Sequence, residues 1–211
     1  MGDLTRAVEL YRSAFEYVNS QALQHEIQWQ RDLHFNEFSE PEFLRESAWV
    51  ILCSGFRESA VRRAFDHISL AFCDWESASS IVAAGDACVR VASARFRNDR
   101  KLNAILQVST RINSIGFGEF KNQVLAKRID VLTTLPYIGK VTGWHLAKNL
   151  GLDVAKPDRH LLRLCSALQY CCVDHLCAAL SDVVGEAPKV VDLILWRYLA
   201  DHARIRSIVL T

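Results

Sequence analysis

The spacing of apolar residues predicts helices along the whole chain and leaves little room for a sheet. In the N-terminal segment, apolar side chains recur three and four residues apart: Leu4, Ala7, Val8, Tyr11, Phe15 and Val18. That is the period of one face of a helix. The 211 residues include only 4 Pro and 9 Gly, so few positions interrupt the pattern. We find no segment with the strict alternation of a strand, and we predict an all-α fold.

Local signals predict where individual helices begin and end. Ser39 followed by Glu42 forms a capping box, which predicts a helix from there to about Cys53. Another helix is predicted from near Arg57, after Ser54-Gly55. Further helices are predicted around residues 100–115, 118–132, 140–150, 159–170 and 187–203. The last of these is apolar nearly all round, so we expect it to be buried.

Composition and charge exclude several classes of protein. Half of the residues are hydrophobic, and 25 Lys+Arg stand against 24 Asp+Glu, which is not the composition of a disordered chain. No uncharged run exceeds ten residues, whereas a helix that spans a bilayer needs roughly 18. Charged residues interrupt the first 16 positions, which argues against a signal peptide. We expect a cytoplasmic monomer without a membrane partner.

The cysteines predict reduced thiols and no cofactor. There are seven, an odd number scattered along the chain, which is typical of a cytosolic protein. Cys165, Cys171, Cys172 and Cys177 have neither the spacing of an iron–sulfur cluster nor that of a zinc site with paired Cys-x2-Cys ligands. We interpret these four as buried structural thiols, and we predict no cofactor and no metal.

The segment Leu135–Gly143, with sequence LPYIGKVTG, carries the strongest functional signal. Pro136 and Gly139 predict a tight turn between two helices, the second of which begins near Lys140. A helix N-terminus exposes unpaired backbone N–H groups and carries partial positive charge, so it binds phosphate without a charged side chain. Such a hairpin allows a chain of net charge +1 to bind DNA. A tight turn without a ligand is the alternative.

Asp158 is the second signal, because it follows Pro157 and begins an apolar helical run. An isolated Asp at that place is most simply a helix N-cap. A hairpin followed by such an Asp, however, resembles the helix-hairpin-helix (HhH-GPD, endonuclease III-like) DNA glycosylase superfamily. The closest resemblance is to the archaeal-type 8-oxoguanine DNA glycosylase/lyase branch. It is carried by His145–Gly151 and Asp158–His160, and also by 43–56, 95–98 and 192–196.

The resemblance implies a two-lobe helical fold with a cleft between the lobes. Residues 1–56 together with 151–211 are expected to form a terminal lobe that carries the catalytic Asp and the base pocket. Residues 57–150 are expected to form a central helical lobe that ends in the helix-hairpin-helix, at about 128–150. The implied partner is double-stranded DNA that contains a damaged or modified base, which implies association with the nucleoid if the source is prokaryotic.

The resemblance also implies a function, which is base excision. The target base is turned out of the duplex, and its departure leaves positive charge on the sugar. Asp158 is the candidate to stabilise that charge and to activate water. The candidates for DNA contacts are Tyr137, Ile138, Gly139, Val141, Thr142, Phe56 and Arg57. The candidates for the base pocket are Trp196, Asp192, Trp144 and Trp49. Lys101 and several arginines are candidates for phosphate contacts, and solvated surface charge is the interpretation expected for more than half of them.

Two residues depart from the family pattern. Tyr137 stands where the hairpin usually has Gly, and Val141 stands where bifunctional members carry the Lys that forms a Schiff base with the sugar. Lys140 is one residue early, which is about 100° around a helix. We therefore favour a monofunctional, hydrolytic glycosylase. Two alternatives stay open: a bifunctional glycosylase/lyase acting through Lys140, and a non-catalytic helix-hairpin-helix DNA-binding protein.

Overall fold

The computed structural model describes residues 2–202, and these residues form helices and no strand, as predicted. In chain order the helices are α1 (Leu4–Ser20), α2 (Gln24–Asp32), α3 (Glu40–Cys53), α4 (Glu58–Ala71), α5 (Ala78–Ala84), α6 (Asp86–Ser93), α7 (Asp99–Ile115), α8 (Phe117–Lys127), α9 (Ile129–Leu132), α10 (Lys140–Asn149), α11 (Arg159–Ala167), α12 (Val173–Val184) and α13 (Pro188–Asp201). A 3-10 turn, Cys73–Trp75, follows α4. Among residues 2–202, no helix combines the length and the apolar character needed to cross a membrane.

The predicted capping box at the start of α3 is present. The Ser39 hydroxyl accepts from the Glu42 amide, and the Glu42 carboxylate accepts from the Ser39 amide at 2.7 Å. These two bonds satisfy backbone amides at the start of the helix, which have no backbone acceptor within it. Other boundaries differ from the prediction. The segment 118–132 is two helices, because Arg128 adopts a left-handed conformation (φ 48°) between α8 and α9. The expected end of the last helix, Ala203, lies outside the described residues.

The chain divides into two compact units. A terminal unit contains the segment that ends at His34 and the segment that begins at Gly151, and a central unit contains Phe35–Leu150. The predicted terminal lobe extended to residue 56, whereas residues 35–56 pack in the central unit. The reason is that α3, in which Phe43, Leu44 and Ile51 are buried, packs against α7 and α10 of that unit.

In the terminal unit, α13 packs against α1, α2, α11 and α12. Its fully buried side chains are Val190, Val191, Ile194 and Leu195. Burial of the helix is less complete than predicted, because Trp196 and Leu199 are only half-buried. Arg197 on the same helix forms a bidentate pair with Glu26 of α2, with N–O distances of 2.7 and 2.8 Å. The apolar face and this pair fix α13 within its unit.

In the central unit, a buried polar contact joins the middle of α3 to the end of α10. The Glu46 carboxylate accepts from the Asn149 amide at 2.8 Å and from the neighbouring Arg45 guanidinium at 2.6 Å. Burial is the main cause that raises the pKa of Glu46, and the positive charge of Arg45 opposes it. The folded state therefore favours the neutral carboxyl relative to the unfolded chain.

This burial predicts a pH dependence of stability. A carboxyl whose pKa is raised by folding contributes stability that is present below its unfolded pKa, roughly 4.3, and that is lost as the pH rises through its folded pKa. Glu46→Gln keeps an acceptor for Asn149 and does not ionise. Between pH 4 and pH 7, its free energy of unfolding in urea should therefore fall less than that of the wild type. Glu119→Gln, at an exposed site, controls for net charge. Identical pH profiles for Glu46→Gln and the wild type would contradict this account.

Candidate functional site

The predicted hairpin lies between α9 and α10 in the central unit. Gly139 is the N-cap residue of α10, and no side chain caps the first turn of that helix. The Gly143 amide donates to the Gly139 carbonyl at 2.7 Å, which begins the helical hydrogen bonding. The amides before Gly143 in this turn have no partner inside the helix. An uncapped helix N-terminus of this kind is suited to an anion.

The two glycines of the hairpin have different roles. A Cβ at Gly143 would lie 2.8 Å from Thr133 Cγ2 and 3.4 Å from Ile129 Cγ2, so glycine lets α10 pack closely on α9. Gly139 has ordinary extended backbone angles (φ −83°, ψ −174°), and a Cβ there would meet nothing within 4 Å. The fold therefore requires Gly143, whereas Gly139 keeps the outside of the hairpin open.

The other hairpin residues divide into exposed and buried ones. Ile138 is 2% exposed and its amide donates to the Leu135 carbonyl, so this residue packs the turn and offers DNA neither its side chain nor its N–H group. Val141 is exposed and Thr142 is half-buried. Lys140, the first residue of α10, is exposed. The expected DNA contact of Ile138 is the one hairpin assignment that this geometry disfavours.

Lys140 borders a shallow depression of about 440 Å³ that we call the cationic depression. Its lining consists of Lys127, Arg128, Ile129, Asp130, Thr133, Lys140 and Trp144. Three of these side chains are cationic and one is anionic, so the net charge of the lining is positive. The depression lies directly beside the uncapped turn of α10.

Lys101 does not contact solvent as a phosphate ligand would. It is 4% exposed, and its ammonium donates to the carbonyls of Ile51, Leu52 (3.1 Å) and Ser54 (2.6 Å) at the end of α3. Burial lowers the pKa of Lys101 to about 8. Lys101 is therefore neither a phosphate ligand nor a solvated surface charge, the two interpretations that the sequence allowed. Its role here is to satisfy carbonyls that the last turn of a helix leaves unpaired.

The same ammonium lies close to two aromatic side chains that are partly exposed. The distance from Lys101 Nζ to the ring centre is 5.1 Å for Phe56 and 5.8 Å for Tyr137. The residue after Phe56 is Arg57, which is exposed and serves as the N-cap of α4. The structure thus brings Phe56, in the loop after α3, and the predicted hairpin close to the same side chain within the central unit. The sequence contained a signal for the burial of Lys101, because this residue lies on the apolar face of α7 with Ile105 and Val108.

Asp158 is the N-cap of α11 in the terminal unit. One carboxylate oxygen, Oδ1, accepts from the amides of His160 (2.9 Å) and Leu161 (3.0 Å). The other oxygen, Oδ2, has no hydrogen-bond partner among residues 2–202, and the residue is half-buried. Beside it, burial lowers the pKa of His160, although the charge of Asp158 acts in the opposite direction. The cap fixes the carboxylate and still leaves one oxygen for other chemistry.

Of the four predicted base-pocket residues, Asp192 and Trp196 lie on α13 in the terminal unit. Asp192 is 1% exposed, and it accepts from the Lys156 amide at 3.3 Å. The Lys156 carbonyl in turn accepts from the Asp158 amide at 2.8 Å. Asp192 therefore holds the short segment that positions Asp158. The Trp196 ring is half-buried and has the Arg197 guanidinium 4.7 Å from its centre.

The two other tryptophans belong to the central unit. Trp49 packs edge-on against Phe65 at 5.0 Å, with the Arg62 guanidinium 5.5 Å from its ring centre. Trp144 lines the cationic depression. Asp192 and Trp196 thus lie in the terminal unit, as predicted for the base pocket, whereas Trp49 and Trp144 lie in the central unit.

The four C-terminal cysteines do not share one environment. Cys165 and Cys177 are buried as expected, and burial raises the pKa of Cys165 to about 11. Cys171 and Cys172 are exposed, because they lie in the turn between α11 and α12 and not within a helix; the prediction of burial is wrong for these two. Within residues 2–202, no group of three or more His, Cys, Asp or Glu side chains is placed to hold a metal ion.

Comparison with known proteins identifies one similar structure. No protein-family model matches the sequence, and no curated protein matches it. The chain is similar in fold to the 8-oxoguanine DNA glycosylase of Thermotoga maritima, with a TM-score of 0.62 and 19% sequence identity. The match covers 92% of this chain and 97% of that one. The fold that the hairpin and Asp158 implied is confirmed by this match.

The cap geometry of Asp158 predicts that two substitutions at this position differ in their effect on the free energy of unfolding. Asp158→Ala removes the acceptor for two amides, and it should lower the free energy of unfolding by about 1 kcal/mol. Asp158→Asn keeps an oxygen at the position of Oδ1 and caps nearly as well, so it should change that free energy little. Denaturant unfolding of the two variants and the wild type measures both effects. Equal destabilisation by Ala and Asn would show that the carboxylate charge, and not the cap, stabilises the fold.

Proposed function

We propose that the protein is a DNA glycosylase that removes a damaged or modified base from duplex DNA by hydrolysis of its N-glycosidic bond. The observation that carries this proposal is the half-buried carboxylate of Asp158, held through one oxygen and open at the other. It occurs in a chain that shares its fold with an 8-oxoguanine DNA glycosylase. The N-cap interpretation and the catalytic interpretation are thus compatible, since each uses a different oxygen.

The chemistry follows from what the bond requires. As the base departs, C1′ of the sugar becomes positively charged. Asp158 Oδ2, placed next to C1′, stabilises that charge and orients the water that attacks it. Because Oδ1 is bonded to two amides of α11, the carboxylate is oriented before the substrate arrives. Such preorganisation is the main source of electrostatic catalysis.

DNA binding is assigned to the central unit. A phosphate at the uncapped turn of α10 would accept hydrogen bonds from backbone amides, and the nearby charges of Lys140, Lys127 and Arg128 attract the same strand. Backbone contacts of this kind bind without reading sequence. Base recognition is assigned to the terminal unit, where the half-buried Trp196 offers a ring for stacking. The buried Asp192 supports the segment that carries Asp158.

Hydrolysis is favoured over a lyase mechanism by the first turn of α10. The second residue of that helix, where a Schiff-base lysine is expected, is Val141, which has no amine. Lys140 borders the cationic depression together with Lys127 and Arg128, which suits a phosphate contact. We therefore assign Lys140 to DNA binding.

The function is tested by Asp158→Asn in a screen of duplexes that each carry one modified base. The wild type should release one base in free form without a borohydride-trapped protein–DNA adduct. On that substrate, Asp158→Asn should lower the single-turnover rate by about 10²–10³, because the change removes a full charge beside the oxocarbenium-like sugar. Thermal melting and gel-shift affinity serve as controls and should change little. An Asp158→Asn protein that folds, binds DNA and excises the base at the wild-type rate would contradict the catalytic role of Asp158. Trapping that is lost in Lys140→Ala would favour the lyase alternative.

The hairpin contact is tested by Gly139→Val. The folded chain has room for a side chain at Gly139, so the variant should fold, but the side chain would obstruct a phosphate at the α10 N-terminus. Affinity for lesion and plain duplexes should fall alike, by about tenfold or more, as for a lost hydrogen bond to a charged group. Gly118→Val is the matched control, because a Cβ at Gly118 also meets nothing within 4 Å. Unchanged affinity in Gly139→Val would exclude the hairpin as the binding element.

A further inference from the structure

We propose that Cys171 is a site of reversible thiol oxidation by hydroperoxides, with His175 as the base that ionises its thiol and Cys172 as the thiol that resolves the product. These three side chains, which we call the thiol cluster, lie in the turn between α11 and α12 and in the first turn of α12. The chemical class that the site takes is a small peroxide, such as hydrogen peroxide. The proposal goes beyond base excision and does not depend on it, because no residue of the cluster belongs to the proposed glycosylase site.

The first observation is the exposure of the two thiols. Cys171 and Cys172 are exposed, whereas the other five cysteines are buried or half-buried. Free cysteine is among the most buried residue types in proteins, so two adjacent exposed thiols are unusual, and exposed thiols contribute little to packing. Oxidation requires a thiol that a peroxide can reach. These two positions meet that requirement.

The second observation is the contact between Cys171 and an imidazole. Cys171 Sγ lies 3.2 Å from His175 Nδ1, within hydrogen-bonding distance. The His175 ring packs edge-on against the ring of Tyr170, with 5.7 Å between ring centres. Tyr170 is buried, so it holds the imidazole in place. Because the thiolate and not the thiol is the nucleophile, an imidazole that accepts the thiol proton makes Cys171 reactive.

The third observation is the position of the cluster at the start of α12. Cys172 is the N-cap residue of this helix, and no side chain caps the first turn. The partial positive charge of a helix N-terminus stabilises a thiolate in front of it. Asp174 in the same turn carries the opposite charge, but its Oδ1 atom accepts from the Ala155 amide at 3.2 Å. The helix N-terminus and His175 therefore both favour the ionised form of Cys171.

The fourth observation is the distance between the two thiols. Cys172 Sγ lies 3.8 Å from Cys171 Sγ, which is about 1.8 Å longer than a disulfide bond. The nearby Cys165 is a poor resolving thiol, because burial raises its pKa to about 11. The Cα atoms of adjacent residues are only about 3.8 Å apart, so a disulfide between Cys171 and Cys172 is strained. Strained and exposed disulfides are readily reduced, which makes the oxidation reversible.

The reaction proceeds in two steps. The Cys171 thiol gives its proton to His175 Nδ1, and the thiolate attacks one oxygen of hydrogen peroxide, so that an S–O bond forms as the O–O bond breaks. The other oxygen leaves as hydroxide, takes the proton from His175 and departs as water; the sulfur is oxidised to a sulfenic acid and the peroxide is reduced. Cys172 then attacks this sulfur, an S–S bond forms, the S–O bond breaks, and hydroxide leaves as water with the Cys172 proton. A thiol reductant restores both thiols by exchange.

The products are tested by treating the protein with hydrogen peroxide and mapping its peptides by mass spectrometry. In the wild type, Cys171 and Cys172 should form a disulfide, with the loss of two hydrogen atoms, and dithiothreitol should reverse it. Cys172→Ser should stop at the sulfenic acid, which dimedone traps on Cys171. Cys171→Ser should give neither product. A disulfide of Cys171 with Cys165 instead would contradict the role of Cys172.

The base is tested by His175→Gln in the Cys172→Ser background, where dimedone trapping reports the oxidation rate of Cys171. The substitution should slow trapping at neutral pH about tenfold, because an unassisted thiol is only a few per cent thiolate there. Alkylation of Cys171 by iodoacetamide, which also requires the thiolate, should slow in parallel. His25→Gln is the matched control, since His25 is exposed on α2 of the same unit and contacts the Ala22 carbonyl. This control should react at the rate of its parent.

Two results would overturn the inference. One is a folded His175→Gln protein in which Cys171 reacts as fast as with the imidazole present, which would show that the contact is structural only. The other is a wild type in which peroxide leaves Cys171 and Cys172 as thiols. Every substituted side chain is exposed, so thermal melting of each variant should stay within a few degrees of the wild type and establishes that the comparison is between folded proteins.

Discussion

The contacts of the buried Lys101 ammonium hold together the part of the central unit that contains the end of α3 and the hairpin before α10. The ammonium satisfies carbonyls at the end of α3, and it lies close to rings from the loop after α3 and from the hairpin before α10. The lysine itself comes from α7, so three segments meet at one buried charge. Removing that charge would leave carbonyls unpaired in a buried place, which typically costs about 1–3 kcal/mol for each such group.

The N-termini of α10 and α11 differ in whether a side chain caps them. The first turn of α10 has no side-chain cap, and the glycine before it leaves the approach open. The first turn of α11 is already occupied by a carboxylate of the chain itself, Asp158. The open N-terminus suits an incoming phosphate, whereas the closed one fixes an anion that belongs to the protein. In the proposed function the first binds DNA and the second stabilises a developing cation.

The sequence predicted the helices and the residues that cap them better than it predicted the environments of individual side chains. Ser39 and Asp158 cap the helices that they were expected to cap, because capping depends on a few neighbouring residues. The environments predicted for Lys101 and for Cys171 and Cys172 were wrong, and the burial of Ile138 disfavours the DNA contact predicted for it. Burial depends on segments far away in the chain. The contact of Lys101 with α3 joins residues about fifty positions apart, and no local pattern specifies which carbonyls it finds. For Asp192 the sequence predicted only part of the environment. Its burial followed from the apolar helix around it, but its hydrogen bond with the Lys156 amide could not be predicted.

The central claim is that a carboxylate lies beside C1′ when the base departs, and it is tested without knowing which base that is. Two duplexes are compared, one with a pyrrolidine abasic analogue that carries a positive charge near the position of C1′, and one with the neutral tetrahydrofuran analogue of the same shape. A mimic of the transition-state charge should bind more tightly than its neutral counterpart. The account predicts that the wild type prefers the cationic duplex by at least about tenfold, and that Asp158→Asn loses this preference. Equal affinities of the wild type for the two duplexes would contradict it.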